Sequence, residues 1–163
     1  MTTQTWEQRV ADLWAAMDSY AEDDFVARIG ALADELGPGN AVGDFERAAA
    51  LDSTGHSDRA VPLYRQALAV GLTGLRRRRA VIQLASSLRN LGQASESVAL
   101  LTAEREAGSD ELDDAVLGFL ALALVDVGRE REAASLALGA LAPHLPRYQR
   151  SMANYARLLV DER

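Results

Sequence analysis

The chain has 163 residues, the size of one ordinary domain. It carries 17 basic residues, every one an arginine, 24 acidic residues, two histidines, no cysteine and a formal net charge of −7. The missing cysteine excludes disulfides, thiolate zinc sites and a cysteine nucleophile, and two histidines exclude a histidine-rich metal centre. Thirty Ala and 24 Leu make up about a third of the chain, and isoleucine occurs only at Ile29 and Ile82. Good helix formers are therefore abundant and β-branched residues scarce, which excludes an all-β fold and disfavours a parallel α/β sheet. No window reaches the ~18–20 apolar residues of a membrane span, and the first residues hold no basic-then-apolar leader. The expected location is cytoplasmic, with no membrane contact.

Nine helices are expected in chain order. Thr5-Trp6-Glu7-Gln8 is a capping box opening a helix over 5–20, with Trp6, Val10, Leu13, Trp14 and Met17 on one face. Asp23 or Asp24 opens the next over 24–36, with Phe25, Ile29, Leu32 and Leu36 inward and Gly37-Pro38-Gly39 as its stop. Three pairs follow, over 41–54 and 58–70, 76–91 and 94–107, and 111–127 and 130–142. Pro146 is expected to open the last, over 147–161, with Tyr148, Met152, Tyr155 and Leu159 on one face and Arg147, Arg150 and Arg157 keeping it soluble.

The three pairs share a register. Gly55, Gly92 and Gly128 lie 37 and 36 residues apart. Four residues before each stands Leu51, Leu88 or Leu124, and seven before stands Ala48, Ala85 or Ala121. Five after comes Ala60, Ser97 or Ala133, eight after Leu63, Leu100 or Leu136, and twelve after Ala67, Glu104 or Ala140. A glycine past the first helix can take the left-handed conformation that ends it, and small residues near the turn let two antiparallel helices approach. A hairpin of this size cannot bury its apolar face alone, so hairpins stack.

This small–large–glycine pattern resembles the tetratricopeptide repeat, a helical hairpin of ~34 residues. The resemblance covers about 41–142, and the segments 51–72 and 80–92 resemble short bacterial members of that family. It implies an all-α fold, a right-handed superhelical stack of antiparallel helix-turn-helix hairpins with about nine helices. The single domain would span 1–163: a degenerate N-terminal hairpin over 5–36, repeats over 41–72, 76–107 and 111–142, and a capping helix over 147–161. The family's usual first-helix aromatic is replaced by Asp44, Val81 and Gly118, and Leu72 stands where its closing proline would be.

In this family the first helix of each hairpin lines a concave surface. Carried over residue by residue, the lining is Phe45, Glu46, Ala49 and Asp52 in the first repeat. The second repeat gives Arg79, Ile82, Gln83, Ser86, Arg89 and Asn90, and the third Gly118, Phe119, Leu122 and Val125. A peptide with a carboxylate near the middle repeat and an apolar side chain near Phe119 fits those types. Glu46, Gln83 and Phe119 stand where the basic–Asn clamp that some family members use for chaperone tails would need its residues, so that ligand is rejected. The apolar third stripe is equally open to cover by the last helix or a second copy.

Other local features have plainer readings. Asp52-Ser53-Thr54-Gly55 is a polar helix end, not a protease motif, and His56 and His144 are turn residues. Of the acid clusters Glu22-Asp23-Asp24, Asp34-Glu35, Asp110-Glu111 and Asp113-Asp114, two sit at expected helix starts, where acids favour the dipole without any metal. The sharpest feature is Arg76-Arg77-Arg78-Arg79. Arginines suit phosphates, but the four fan around a helix at ~100° steps and no aromatic platform lies between them. Positive charge at a helix start opposes the dipole, so pairing with acids of the fold or of a protein partner is expected. Charge is uneven along the chain: −7 over 1–75, +3 over 76–107, −5 over 108–145 and +2 over 146–163. The acidic whole makes nucleic acid an unlikely main ligand.

The sequence therefore reads as a non-enzymatic scaffold binding a protein or peptide through its groove, without cofactor. The alternatives are a self-associating structural protein, hence a homo-oligomer, and a regulator that binds a short signalling peptide.

Overall fold

The computed structural model describes residues 4–161 and contains, among them, nine α-helices and no strand. The chain forms two compact units, Met1–Ala80 and Val81–Arg163, whose boundary falls within one helix.

The first unit contains α1 (Trp6–Ala15), a 3-10 turn (Met17–Ser19), α2 (Glu22–Asp34), α3 (Ala41–Ser53), α4 (Ser57–Val70) and the start of α5 (Gly74–Asn90). The capping box forms as expected: Gln8 N–H donates to Thr5 Oγ1 at 3.2 Å, and Thr5 N–H donates to Gln8 Oε1 at 2.9 Å. Asn40 caps α3 by accepting from the N–H groups of Val42 and Gly43. Glu22, Asp23 and Asp24 occupy the first turn of α2, against the positive end of its dipole. Phe25 and Ile29 bury against Ala50, with Trp14 set edge-on to Phe25 at 5.0 Å. Gly43 lets α2 approach α3 closely: a Cβ there would stand 3.2 Å from the Ala33 carbonyl oxygen, which would have to give by a few tenths of an ångström.

The second unit contains the rest of α5, α6 (Ala94–Ala107), α7 (Asp113–Asp126), α8 (Glu130–Leu141), a 3-10 turn (Ala142–His144) and α9 (Gln149–Leu158). Its core joins Ile82 and Ala85 of α5, Leu101 of α6, Val116, Leu120, Ala121 and Leu124 of α7 and Ala133 of α8. Successive helices pack in order, α6 on α7, α7 on α8 and α8 on α9.

The repeat register is visible atom by atom. Gly55, Gly92 and Gly128 have φ of 82°, 77° and 76°. The following residues, His56, Gln93 and Arg129, donate their N–H to Leu51, Leu88 and Leu124 carbonyls at 2.8, 2.9 and 2.9 Å. The glycine N–H groups donate to Asp52, Arg89 and Val125 carbonyls. This is the Schellman closure of a helix end, repeated three times, and it explains why leucine and glycine keep a fixed spacing. Ala48, Ala60, Ala85, Ser97, Ala121 and Ala133 are buried, as close approach requires. Leu72 is buried and its N–H donates to the Ala67 carbonyl at 3.0 Å, a bond that a proline at the repeat's end could not make. Since a Cβ on Gly92 meets nothing within 4 Å, Gly92→Ala tests backbone strain alone. It is expected to cost about 1–2 kcal/mol in urea denaturation, and Gly92→Asn less.

The last helix departs from expectation. It begins at Gln149 rather than at Pro146–Arg147, because Tyr148 takes a left-handed conformation (φ 68°) that breaks the helical path. Met152, Ala156 and Leu159 face inward, and Tyr148 and Tyr155 point outward.

Candidate functional site

In the first unit α1, α3 and α5 converge on an ionic cluster. Glu46 of α3 is only 2% exposed. Its carboxylate accepts from Trp14 Nε1 at 2.8 Å and from Arg76 Nε at 3.0 Å. The Arg76 guanidinium also forks onto Glu7, with Nη1–Oε1 at 3.0 Å and Nη2–Oε2 at 2.6 Å. The hydrogen bonds from Arg76 hold the Glu7 carboxyl below its ordinary range, and the bonds to Glu7 and Glu46 raise Arg76 further. This is the acid pairing expected of the arginine run, and it comes from helices far away in sequence.

Arg79 lies over the Phe45 ring at 5.1 Å. Phe45 itself is fully buried (0%), with the Tyr64 ring centre 6.3 Å from its own. Two clefts meet at Arg76 and Arg79. One, of about 340 Å³, is lined by Glu7, Val10, Ala11, Trp14 and Glu46; the other, of about 410 Å³, by Ala41, Val42, Leu72, Thr73 and Leu75.

The expectation that Phe45 and Glu46 present themselves to a partner is corrected here. Phe45 is a core residue, and the Glu46 carboxylate is already taken up by Trp14 and Arg76. A buried carboxylate needs such partners, and α1 supplies one of them. Sequence reasoning placed Trp6 and Trp14 on the inner face of α1 but gave no sign of which side chain each would meet.

Ser57 Oγ donates to Asp52 Oδ1 at 3.2 Å and the Tyr64 hydroxyl lies 3.4 Å from Oδ2. Burial first, then the neighbouring Asp52 carboxylate, push the Tyr64 phenol up, so it stays protonated at neutral pH. His144 Nε2 lies 2.8 Å from Asp114 Oδ2, with both side chains exposed. Among the described residues no group of three or more His, Asp or Glu side chains is placed to hold a metal ion, and no helix is long and apolar enough to cross a membrane.

The second unit brings together the remaining sequence-derived candidates. On α5, Gln83, Ser86 and Arg89 are half-buried and Asn90 is exposed. Arg89 is engaged by Asp126 of α7, Nε to Oδ2 at 2.5 Å, so its charge is largely balanced. On α7, Phe119 packs against the core, while Leu122 and Val125 are 46% and 49% exposed. Their spacing sets Phe119, Leu122 and Val125 along one side of α7. Together they form an apolar stripe on α7, and the Arg89–Asp126 pair joins that helix to α5. Asp126 is the residue that sequence reasoning missed. Its only signal was a lone acid near the end of an apolar helix.

A family model described as Tetratrico peptide repeat matches residues 41–159. No curated protein and no solved structure matches the chain.

Proposed function

Because the chain belongs to the tetratricopeptide repeat family, we propose that it is a non-enzymatic scaffold that captures a protein or peptide segment on the α5–α7 face of its second unit. The carrying observation is the pair Leu122 and Val125, two large apolar side chains left nearly half exposed on a helix whose other side is core. Apolar side chains grouped in this way mark interaction surfaces when polar residues rim them. Gln83, Ser86 and Asn90 supply that rim and can hydrogen-bond an extended backbone. The engaged Arg89 positions the rim instead of offering a bare cation, so the expected partner contributes an apolar side chain first and an acidic one second.

Leu122→Asp is the clean variant, since Leu122 is exposed and its replacement leaves the core intact. Phe119→Asp would disturb packing as well. Capture from native extract, read by mass spectrometry, is expected to fall at least about tenfold for Leu122→Asp, with unchanged far-ultraviolet circular dichroism; tenfold is ~1.4 kcal/mol. Recovery of the same proteins at the same level by both chains would reject the α5–α7 face.

A further inference from the structure

The outward side of α9 has an unusual surface. Tyr148 and Tyr155 are 76% and 66% exposed, and Ser151 and Leu158 continue their stripe along the helix. The opposite side is anchored, with Arg131 Nε donating to the Leu159 carbonyl at 3.0 Å. Tyr148 is held in the left-handed region at φ 68° and ψ 14°, a strained setting for a bulky side chain. Gln149 secures that setting, donating from Nε2 to the carbonyls of Pro143 and Leu145, both at 2.9 Å. Arg147 and Arg150 have no acidic partner among the described residues, although the chain as a whole carries −7. Tyrosine and arginine are the residues that concentrate binding energy at protein interfaces.

A complementary surface exists on the same chain. The N-terminal hairpin has a cleft of about 700 Å³ between α1 and α2, with Leu13, Ala16, Ala31 and Leu32 in its lining. Its two arginines are engaged, Arg9 by Glu35 at 2.5 Å and Arg28 over the Tyr20 ring at 4.6 Å. Asp24, an exposed acid in the first turn of α2, lies one helical turn from Arg28 of the lining. We propose that α9 of one copy docks its Tyr148–Tyr155 face into the α1–α2 cleft of a second copy, head to tail, with Arg147 and Arg150 meeting the acids of α2. Pairing two α9 faces symmetrically would instead set Arg147 and Arg150 of one copy against those of the other. The contact uses two different surfaces, so it is heterologous and each added copy leaves a free end.

The test is sedimentation velocity on the full chain from micromolar to millimolar concentration, at low and high salt. The expected result is a weight-average mass that climbs past the dimer with concentration and falls with salt. Arg150→Glu and Tyr155→Ser, both at exposed positions, are each expected to weaken association about tenfold. Arg150→Glu mixed with Asp24→Arg is expected to associate, while each alone does so weakly. A monomer at every concentration overturns the proposal. So does a closed dimer that Arg150→Glu tightens, the signature of symmetric α9 pairing, and so does association indifferent to Tyr155→Ser.

Discussion

Phe45→Ala is expected to lower the unfolding free energy by about 3–5 kcal/mol, the usual cost of emptying a fully buried phenylalanine site. Phe45 is wholly enclosed, with Tyr64 on one side and the Arg79 guanidinium 5.1 Å from its ring centre. Alanine would leave a cavity walled by a ring and a charged group, neither of which can collapse into it cheaply. The Arg79 side chain would lose its cation–π contact as well, worth roughly 0.5–1 kcal/mol where partly exposed. Urea denaturation with a common slope reads the change directly. A loss below about 0.5 kcal/mol, the range of ordinary surface substitutions, would return Phe45 to an open surface.

Arg76→Ala carries the second large effect, about 3 kcal/mol. Removing one partner of a buried ion pair typically costs 3–5 kcal/mol, because the other charge stays buried without compensation. The low end applies, since Trp14 continues to donate to Glu46 and a quarter of the Arg76 side chain is exposed. The double variant Arg76→Met with Glu46→Leu is expected to recover only part of the loss, because an apolar pair can replace a buried ionic one but leaves the Trp14 N–H without its acceptor. The pair also has a pH signature. The Glu7 carboxyl is held low chiefly by its hydrogen bond to Arg76, so its stabilisation is full above the ordinary glutamate range and is lost as the pH falls from that range through the lower folded value. The gap between wild type and Arg76→Ala therefore narrows on acidification, and a gap that widened would contradict the assigned pairing.

The parts of this fold that were legible in the sequence are those set by local rules. The fixed spacing of Leu51 to Gly55, Leu88 to Gly92 and Leu124 to Gly128 encodes a helix end that closes on itself within six residues, so no distant partner is needed to read it. The buried alanines follow from the same register. Thr5 and Gln8 announce α1 for the same reason. What escaped depends on contacts across the chain. Periodicity marked Trp6 and Trp14 as inward, but it could not tell that Trp14 would bond Glu46 or that Arg76 would reach Glu7, 69 residues away. Those contacts turned two expected groove residues, Phe45 and Glu46, into interior ones. The face of α9 was misjudged for a different reason. The apolar spacing of Tyr148, Met152, Tyr155 and Leu159 suits a helix starting at Arg147, but the backbone at Tyr148 turns left-handed and Ala156 takes the buried place. An alanine leaves little trace in an apolar pattern, whereas tyrosines dominate it.

On α5 and α7, Leu122 and Val125 are exposed, and Gln83, Ser86 and Asn90 are at least partly accessible. Arg89, expected as a lining residue, is paired with Asp126, which joins helices of successive repeats.

The capture of a protein segment by this face has a direct test, made simple by the absence of native cysteine. A photo-crosslinker is attached to Leu122→Cys and, separately, to Ala99→Cys, an exposed position on α6. After illumination in native extract, a discrete covalent adduct with another protein is expected from position 122 and not from position 99. No adduct at 122, or the same adducts from both positions, would contradict the account.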